Sequence, residues 1–296
     1  MSVKILDKNT IIKQKSDGFT PLIIGDPATI FSARAERLRA LAKDSFMADY
    51  LLLAGQIVQQ QALLAEDFAQ PVANFASENA LTWPLSLDQA WFPILEAMLA
   101  QLTTSLRLVA SGDIVKVIDS LQDLDSDTLH HYFTALQHNQ PERVPADLAI
   151  LLWACINTFT SLLVKTTALE WQPEPNVKQH FCPLCGGALV ASLIKGSGHR
   201  YLHCSQCETE WHRLRAECTQ CADGENIHLQ SETLEDAVRA ETCGHCNSYL
   251  KILFLEKQPN LDPIADDLAT LVLDQKLNQN ELYRNGFNPF FLPLIQ

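Results

Sequence analysis

Eight of the nine cysteines fall into C-x-x-C pairs: Cys182/Cys185, Cys204/Cys207, Cys218/Cys221 and Cys243/Cys246. This spacing lets two sulfurs of one tight turn point at a single ion, while N–H groups of the turn hydrogen-bond to the thiolates. Two such knuckles complete a tetrahedral four-cysteine site. Between successive pairs lie 18, 10 and 21 residues. The longer gaps suit two knuckles on facing hairpins, and the gap of 10 is short for that. The spacing therefore predicts Cys182, Cys185, Cys204 and Cys207 as one site and Cys218, Cys221, Cys243 and Cys246 as a second. An interleaved pairing is the alternative. An all-thiolate tetrahedron suits zinc and a rubredoxin-type iron equally. With every ligand supplied by the protein no position is open to a substrate, so such a site is structural or electron-carrying rather than hydrolytic. In small modules the metal would supply much of the folding free energy.

The first knuckle, Cys182-Pro183-Leu184-Cys185-Gly186-Gly187, has the strongest turn chemistry: proline pre-sets one dihedral, and glycine after the second cysteine tolerates positive φ. The third knuckle has Ala222 in that place and the fourth Asn247, which also tolerates the left-handed region. Two other uses of the cysteines are weaker. Disulfides conflict with a reducing compartment. Thioredoxin-like redox catalysis needs one motif at a helix start in a βαβ setting, not four on hairpin-like segments. Cys155, between Ala154 and Ile156 in an apolar run, reads as a buried inert thiol. Any of five nearby histidines, His199, His203, His212, His228 and His245, could replace a cysteine ligand, but eight cysteines already fill two sites. Tyr201 and Trp211 read as covers for the metal, and Arg200, Arg213 and Arg215 as counterions to the thiolates. Asp262, Asp266 and Asp267 hint at a cation site, but acidic residues in a helix's first turn also favour the macrodipole, and that reading is preferred. There is no nucleophile elbow, no phosphate-cradling glycine loop and no open metal site, which points to a binding protein rather than an enzyme.

The knuckles need a scaffold. Residues 1–25 show no clean period and read as a flexible arm. Asp26-Pro27 looks like a capped helix start, and the pattern from 26 to 171 predicts an all-α domain with helices over 28–43, 47–68, 87–105, 112–122, 126–138 and 145–169. Gln70-Pro71, Trp83-Pro84, Ser111-Gly112 and Asn139-Gln140-Pro141 read as breaks. Residues 172–179, with two prolines, read as a linker. The grammar then changes to short β-like runs such as 188–195 and 249–256. These predict two rubredoxin-like or zinc-ribbon modules over 180–214 and 215–258, followed over 259–296 by a C-terminal helix ending near Leu277 and a tail.

Composition narrows the class. The chain has 296 residues, 47% of them hydrophobic, and a net charge of −13. Acidic residues exceed basic ones in both halves, and no basic stripe is available to neutralise phosphates, so nucleic acid and anionic membrane are poor partners. The N-terminus has no apolar run of signal-peptide length. The most apolar stretch, Leu148 to Val164, includes Asn157, Thr158, Thr160 and Ser161, and reads as a buried helix rather than a membrane insertion. A cytoplasmic protein with reduced thiols is expected.

The runs CPLCGGALVASLI, GHRYLHCSQCETEWHRLRAECTQC, RAETCGHCNSYLKILFLEK, ADDLATLVLD and NPFFLP resemble the FdhE family, formate dehydrogenase accessory proteins of bacteria. The likeness covers most of 180–292, including the sequence between the cysteine pairs; before it, ARAERLRALA (33–42) and the DYL at 49–51 match closely. The resemblance implies a cytoplasmic assembly factor needed for respiratory formate dehydrogenase. It would bind the catalytic molybdenum- and selenium-containing subunit before twin-arginine-dependent export. It also implies rubredoxin-like metal modules, which favours iron over zinc for the two ions. No catalytic residue is carried over. An electron carrier or redox sensor acting on a partner enzyme is the alternative, and the reading also admits a homodimer.

Overall fold

A computed structural model describes residues 20–294, except 80, 86–88, 110–111, 169–179, 197, 232 and 234. Most of the expected arm and the whole expected linker at 172–179 lie outside the described residues.

The first half is helical. Asp26 caps α1 (Pro27–Ala42), its carboxylate accepting from the Ala28 N–H at 3.1 Å, with Pro27 at the first helical position. α2 (Ala48–Asp67) packs along α1 as a hairpin. The chain then enters α3 (Ala69–Glu78), where the Gln70-Pro71 pair predicts a break. Pro71 lies in the first turn, where its missing N–H has no intrahelical partner to lose, so the helix forms. A 3₁₀ turn (Gln89–Trp91) leads into α4 (Phe92–Val109), four residues beyond the expected end. α5 (Asp113–Gln122) and α6 (Ser126–Gln137) follow.

α7 (Ala146–Thr167) is the axis: α2, α3, α4 and α6 all pack on it, and every residue from Leu148 to Val164 is buried. It is long and apolar enough to cross a membrane by composition, but 94% of its most apolar window is buried inside the protein. A helix that is apolar all round belongs in a core.

The second half is one sheet in the order β1-β4-β3-β2-β7-β6-β5: Leu22–Ile23, Glu210–Arg213, His199–Cys204, Leu189–Lys195, Ser248–Phe254, Val238–Cys243 and Ile227–Gln230. β8 (Tyr283–Arg284) pairs with the start of β7. Two antiparallel three-stranded units, β2-β3-β4 and β5-β6-β7, share one register. Leu189 opposes Cys204 as Ile227 opposes Cys243, and His203 opposes Glu210 as Thr242 opposes Tyr249. The units are not separate sheets, because β2 of the first pairs in parallel with β7 of the second. Leu22–Ile23, expected in the arm, instead closes the β4 edge.

The expected single C-terminal helix is broken at Thr270 into α8 (Ala265–Ala269) and α9 (Leu271–Gln279). The buried Lys251 ammonium donates to the Asp267 and Thr270 carbonyls at 2.8 and 3.1 Å, drawing them out of a continuous ladder. After β8 the chain passes between β7 and β2 at Gly286 and ends in a 3₁₀ segment (Pro289–Leu294) against α7. A Cβ on Gly286 would sit 2.5 Å from the Val190 carbonyl oxygen, so only glycine allows this approach. Gly286→Ala is expected to cost about 1–3 kcal/mol, the usual range for overpacking, read as a lower denaturant midpoint with an unchanged slope.

Candidate metal centres

The four knuckles share one backbone shape. In each, the residue after the second cysteine has positive φ: Gly186 at 70°, Glu208 at 60°, Ala222 at 61° and Asn247 at 55°. Glycine and asparagine take this conformation readily; alanine and glutamate do so at a cost. In the first, second and third knuckles backbone N–H groups donate to sulfur, as Gly187 to Cys185 and Gln206 to Cys204, at 3.3–3.4 Å.

These turns bring the sulfurs together in two groups. Those of Cys182, Cys185, Cys204 and Cys207 lie within 4.8 Å of one another, and so do those of Cys218, Cys221, Cys243 and Cys246. The pairing is first with second knuckle and third with fourth; no interleaved group forms. Cys182 and Cys207 are 3.5 Å apart and Cys185 and Cys204 3.4 Å; in the second group the corresponding gaps are 3.7 and 3.6 Å. Four sulfurs about 2.3 Å from a central ion define a tetrahedron with edges of about 3.8 Å. A disulfide would need about 2.05 Å, and all nine cysteines are free. The donor set therefore fits a tetrahedral ion.

The electrostatics of the first group agree. Burial pushes the Cys185 and Cys204 thiols well above their usual range. Burial opposes ionisation of Cys207 as well, but its hydrogen bonding with Cys182, Cys185, Cys204 and Thr209 holds it well below. Four buried thiolates would repel one another strongly, and a divalent ion can replace the protons that keep the group from that charge. All four of these cysteines are buried, whereas Cys221 and Cys246 of the second group are partly exposed.

None of the five histidines joins a group. The buried His203 hydrogen-bonds Glu208 at 2.8 Å, and His245 is exposed. Tyr201 and Trp211 anchor β1: the Tyr201 hydroxyl donates to the Thr20 carbonyl at 3.0 Å and Trp211 opposes Leu22. Arg200 has a carboxylate partner rather than only thiolates. Its guanidinium donates to Glu241 at 2.7 Å and to the Glu217 carbonyl at 2.9 Å, clamping the turn that leads to Cys218. Asp262, Asp266 and Asp267 form no cation site. They pair with Arg34, Arg37 and Arg284 at 3.0, 2.5 and 2.6 Å, and Asp262 also caps the Ile264 and Ala265 N–H groups. Cys155 is wholly buried, and burial raises its pKa.

Glu208 is the residue that the sequence reading passes over. It follows Cys207 in the second knuckle and is buried. Its carboxylate takes both terminal nitrogens of Arg34 from α1, at 2.9 and 2.5 Å, and Asn157 from α7 at 3.0 Å. Burial works against its charge, but Arg34 and His203 bring its pKa down to about 2. The polar residues of α7 turn to the same knuckle: Asn157 and Thr160 donate to the Gln206 carbonyl, and Trp153 to that of Ser205. The helical domain is thus keyed onto the first cysteine group.

Three family models match in series along the chain: FdhE, N-terminal, over 19–167; FdhE, central domain, over 181–215; and FdhE, C-terminal domain, over 216–291. A protein FdhE homolog of Haemophilus ducreyi is 34% identical, covering 99% of this chain and 100% of the relative. The chain belongs to the FdhE family. A protein FdhE of Salmonella dublin is 33% identical over 99% of both chains. The crystal structure of the FdhE protein from Pseudomonas aeruginosa superposes with a TM-score of 0.76 at 26% identity, covering 92% of this chain and 98% of that one. This chain's architecture, a helical N-terminal region followed by a sheet with two four-cysteine groups and C-terminal helices, is the fold class that the sequence pattern predicts.

Removing Glu208 tests how the FdhE helical domain is held. Glu208→Ala leaves the buried Arg34 without its bidentate partner, and is expected to cost about 3–5 kcal/mol. Asp113→Ala, which breaks an exposed pair with Lys116, should leave the denaturation midpoint unchanged.

Proposed function

We propose that this protein is a maturation factor for respiratory formate dehydrogenase. It binds the enzyme's catalytic subunit in the cytoplasm and holds it until its cofactors are loaded and export can proceed. Membership of the FdhE family along the whole chain is the observation that carries this reading. The cysteine geometry supports a non-catalytic role. Each group supplies four sulfurs to one ion, which leaves no coordination position for a substrate. Cys182, Cys185, Cys204 and Cys207 would hold one ion, and Cys218, Cys221, Cys243 and Cys246 the other. Iron is favoured over zinc on the family resemblance to rubredoxin-like modules. The ions would stiffen the sheet that carries the cysteines.

One observation favours a second role for the second group. Its Cys221 and Cys246 are partly exposed, whereas the first group is sealed. Electron transfer needs an accessible edge, so a redox-sensing or electron-carrying centre would sit there.

Protein purified without oxygen should carry two transition-metal ions by elemental analysis, and Cys204→Ser only one. A pull-down from anaerobic cells should recover the catalytic subunit of formate dehydrogenase. Failure to recover it, with normal enzyme activity in a deletion strain, discards the maturation reading. A colourless zinc protein discards the redox role; visible bands that bleach reversibly on reduction support it.

A further inference from the structure

The two cysteine units repeat in register, but their equivalent outer strands are treated differently. β2 of the first unit has its free side filled by the chain itself: β7 pairs with it in parallel from Ser192↔Ile252 to Ile194↔Phe254, and the Phe287 N–H donates to the Leu189 carbonyl. β5 is its counterpart in the second unit, and among the described residues it pairs only with β6. The Gly244 N–H donates to the Asn226 carbonyl, which makes that opposed pair a hydrogen-bonded one. Bonded and non-bonded pairs alternate along an antiparallel ladder. Ile227 and Leu229 therefore direct their own N–H and C=O groups away from β6, to the outer edge. Leu229 is 51% exposed. An edge of this kind is a template for one more strand.

Two further features describe what would fit. A cavity of about 370 Å³ opens where β5 ends, lined by the aliphatic Val238, Leu261, Val272 and Leu273 and also by Asp236 and Asp266. Acidic residues flank the edge in sequence, Asp223 and Glu225 before β5 and Glu235 and Asp236 after it; the Asp223 and Asp236 carboxylates also accept from N–H groups of their own turns, and Glu235 lies 3.9 Å from Lys257. A second copy of the same edge would meet like charge.

We propose that the β5 edge is a peptide-docking site, which takes an extended segment of a partner protein in parallel, as β7 sits on β2. The segment carries an aliphatic side chain that enters the cavity and basic side chains facing the acidic ends. Main-chain bonds to Ile227 and Leu229 would give affinity, and the cavity and charge would give selectivity. This goes beyond the maturation reading and does not need it, since the test uses no formate dehydrogenase.

The test is selection from a displayed library of random peptides on the full-length, metal-loaded protein. Leu229→Pro is the control: it removes an outward N–H and leaves the β5–β6 bonds intact, as edge strands permit. Unchanged metal content and circular dichroism would show that it folds. Peptides combining basic and aliphatic residues should be enriched, and should bind Leu229→Pro at least tenfold more weakly. Glu225→Lys should weaken them and flatten their salt dependence. No enrichment, or peptides that bind Leu229→Pro equally, overturns the proposal. So does protection of the Leu229 amide from hydrogen exchange in the free protein, which would mean the chain covers its own edge. A dimer that Leu229→Pro dissociates would make the occupant a second copy and also overturn it.

Discussion

Four sulfurs can share one ion only if two separate turns deliver them to the vertices of a single tetrahedron, and much of the second half of this chain is arranged around that requirement. The same turn is made four times, with a left-handed residue after each second cysteine. β3 and β6 each end on the first cysteine of a knuckle, so the position of the sulfurs and the register of the strands are one variable. A slip of one residue would reverse every side chain on the strand and scatter the sulfurs. The parallel joint between β2 and β7 then makes two metal-scale units into one sheet.

Around this frame, buried ionic networks join segments far apart in sequence. Glu208 carries the second knuckle to Arg34 of α1 and Asn157 of α7. Arg200 and Glu241 bridge the two cysteine units. Lys251, Asp267, Asp274 and Arg284 tie the sheet to the C-terminal helices and tail. Buried pairs add little net stability against apolar replacements of the same shape, but losing one partner is costly. We read them as fixing which surfaces meet. The helical half thereby gains a defined seat on the cysteine half.

The cysteine grouping was legible in the sequence because it depends on local spacing: two sulfurs per tight turn, and loops long enough for hairpins. The long helices were legible from the three- and four-residue recurrence of apolar side chains. What escaped depends on distant partners. β1 is two residues long and is a strand only through its pairing with the free side of β4. The break at Thr270 is imposed by Lys251, some twenty residues earlier. α3 was hidden by Pro71, a breaker in mid-helix but harmless in a first turn. Glu208 carries no motif, and its role appears only when Arg34 and Asn157 arrive. Asn157 and Thr160, read as arguments against a membrane helix, are the polar contacts of α7 with the second knuckle.

X-ray absorption at the metal edge, on protein purified without oxygen, is the most direct examination of the sulfur tetrahedra. Four sulfur neighbours at about 2.3 Å, with no nitrogen or oxygen shell, are expected at both centres. A mixed nitrogen–sulfur shell, or a metal-free protein with sulfur–sulfur bonds at about 2.05 Å, would contradict the assignment of these eight cysteines.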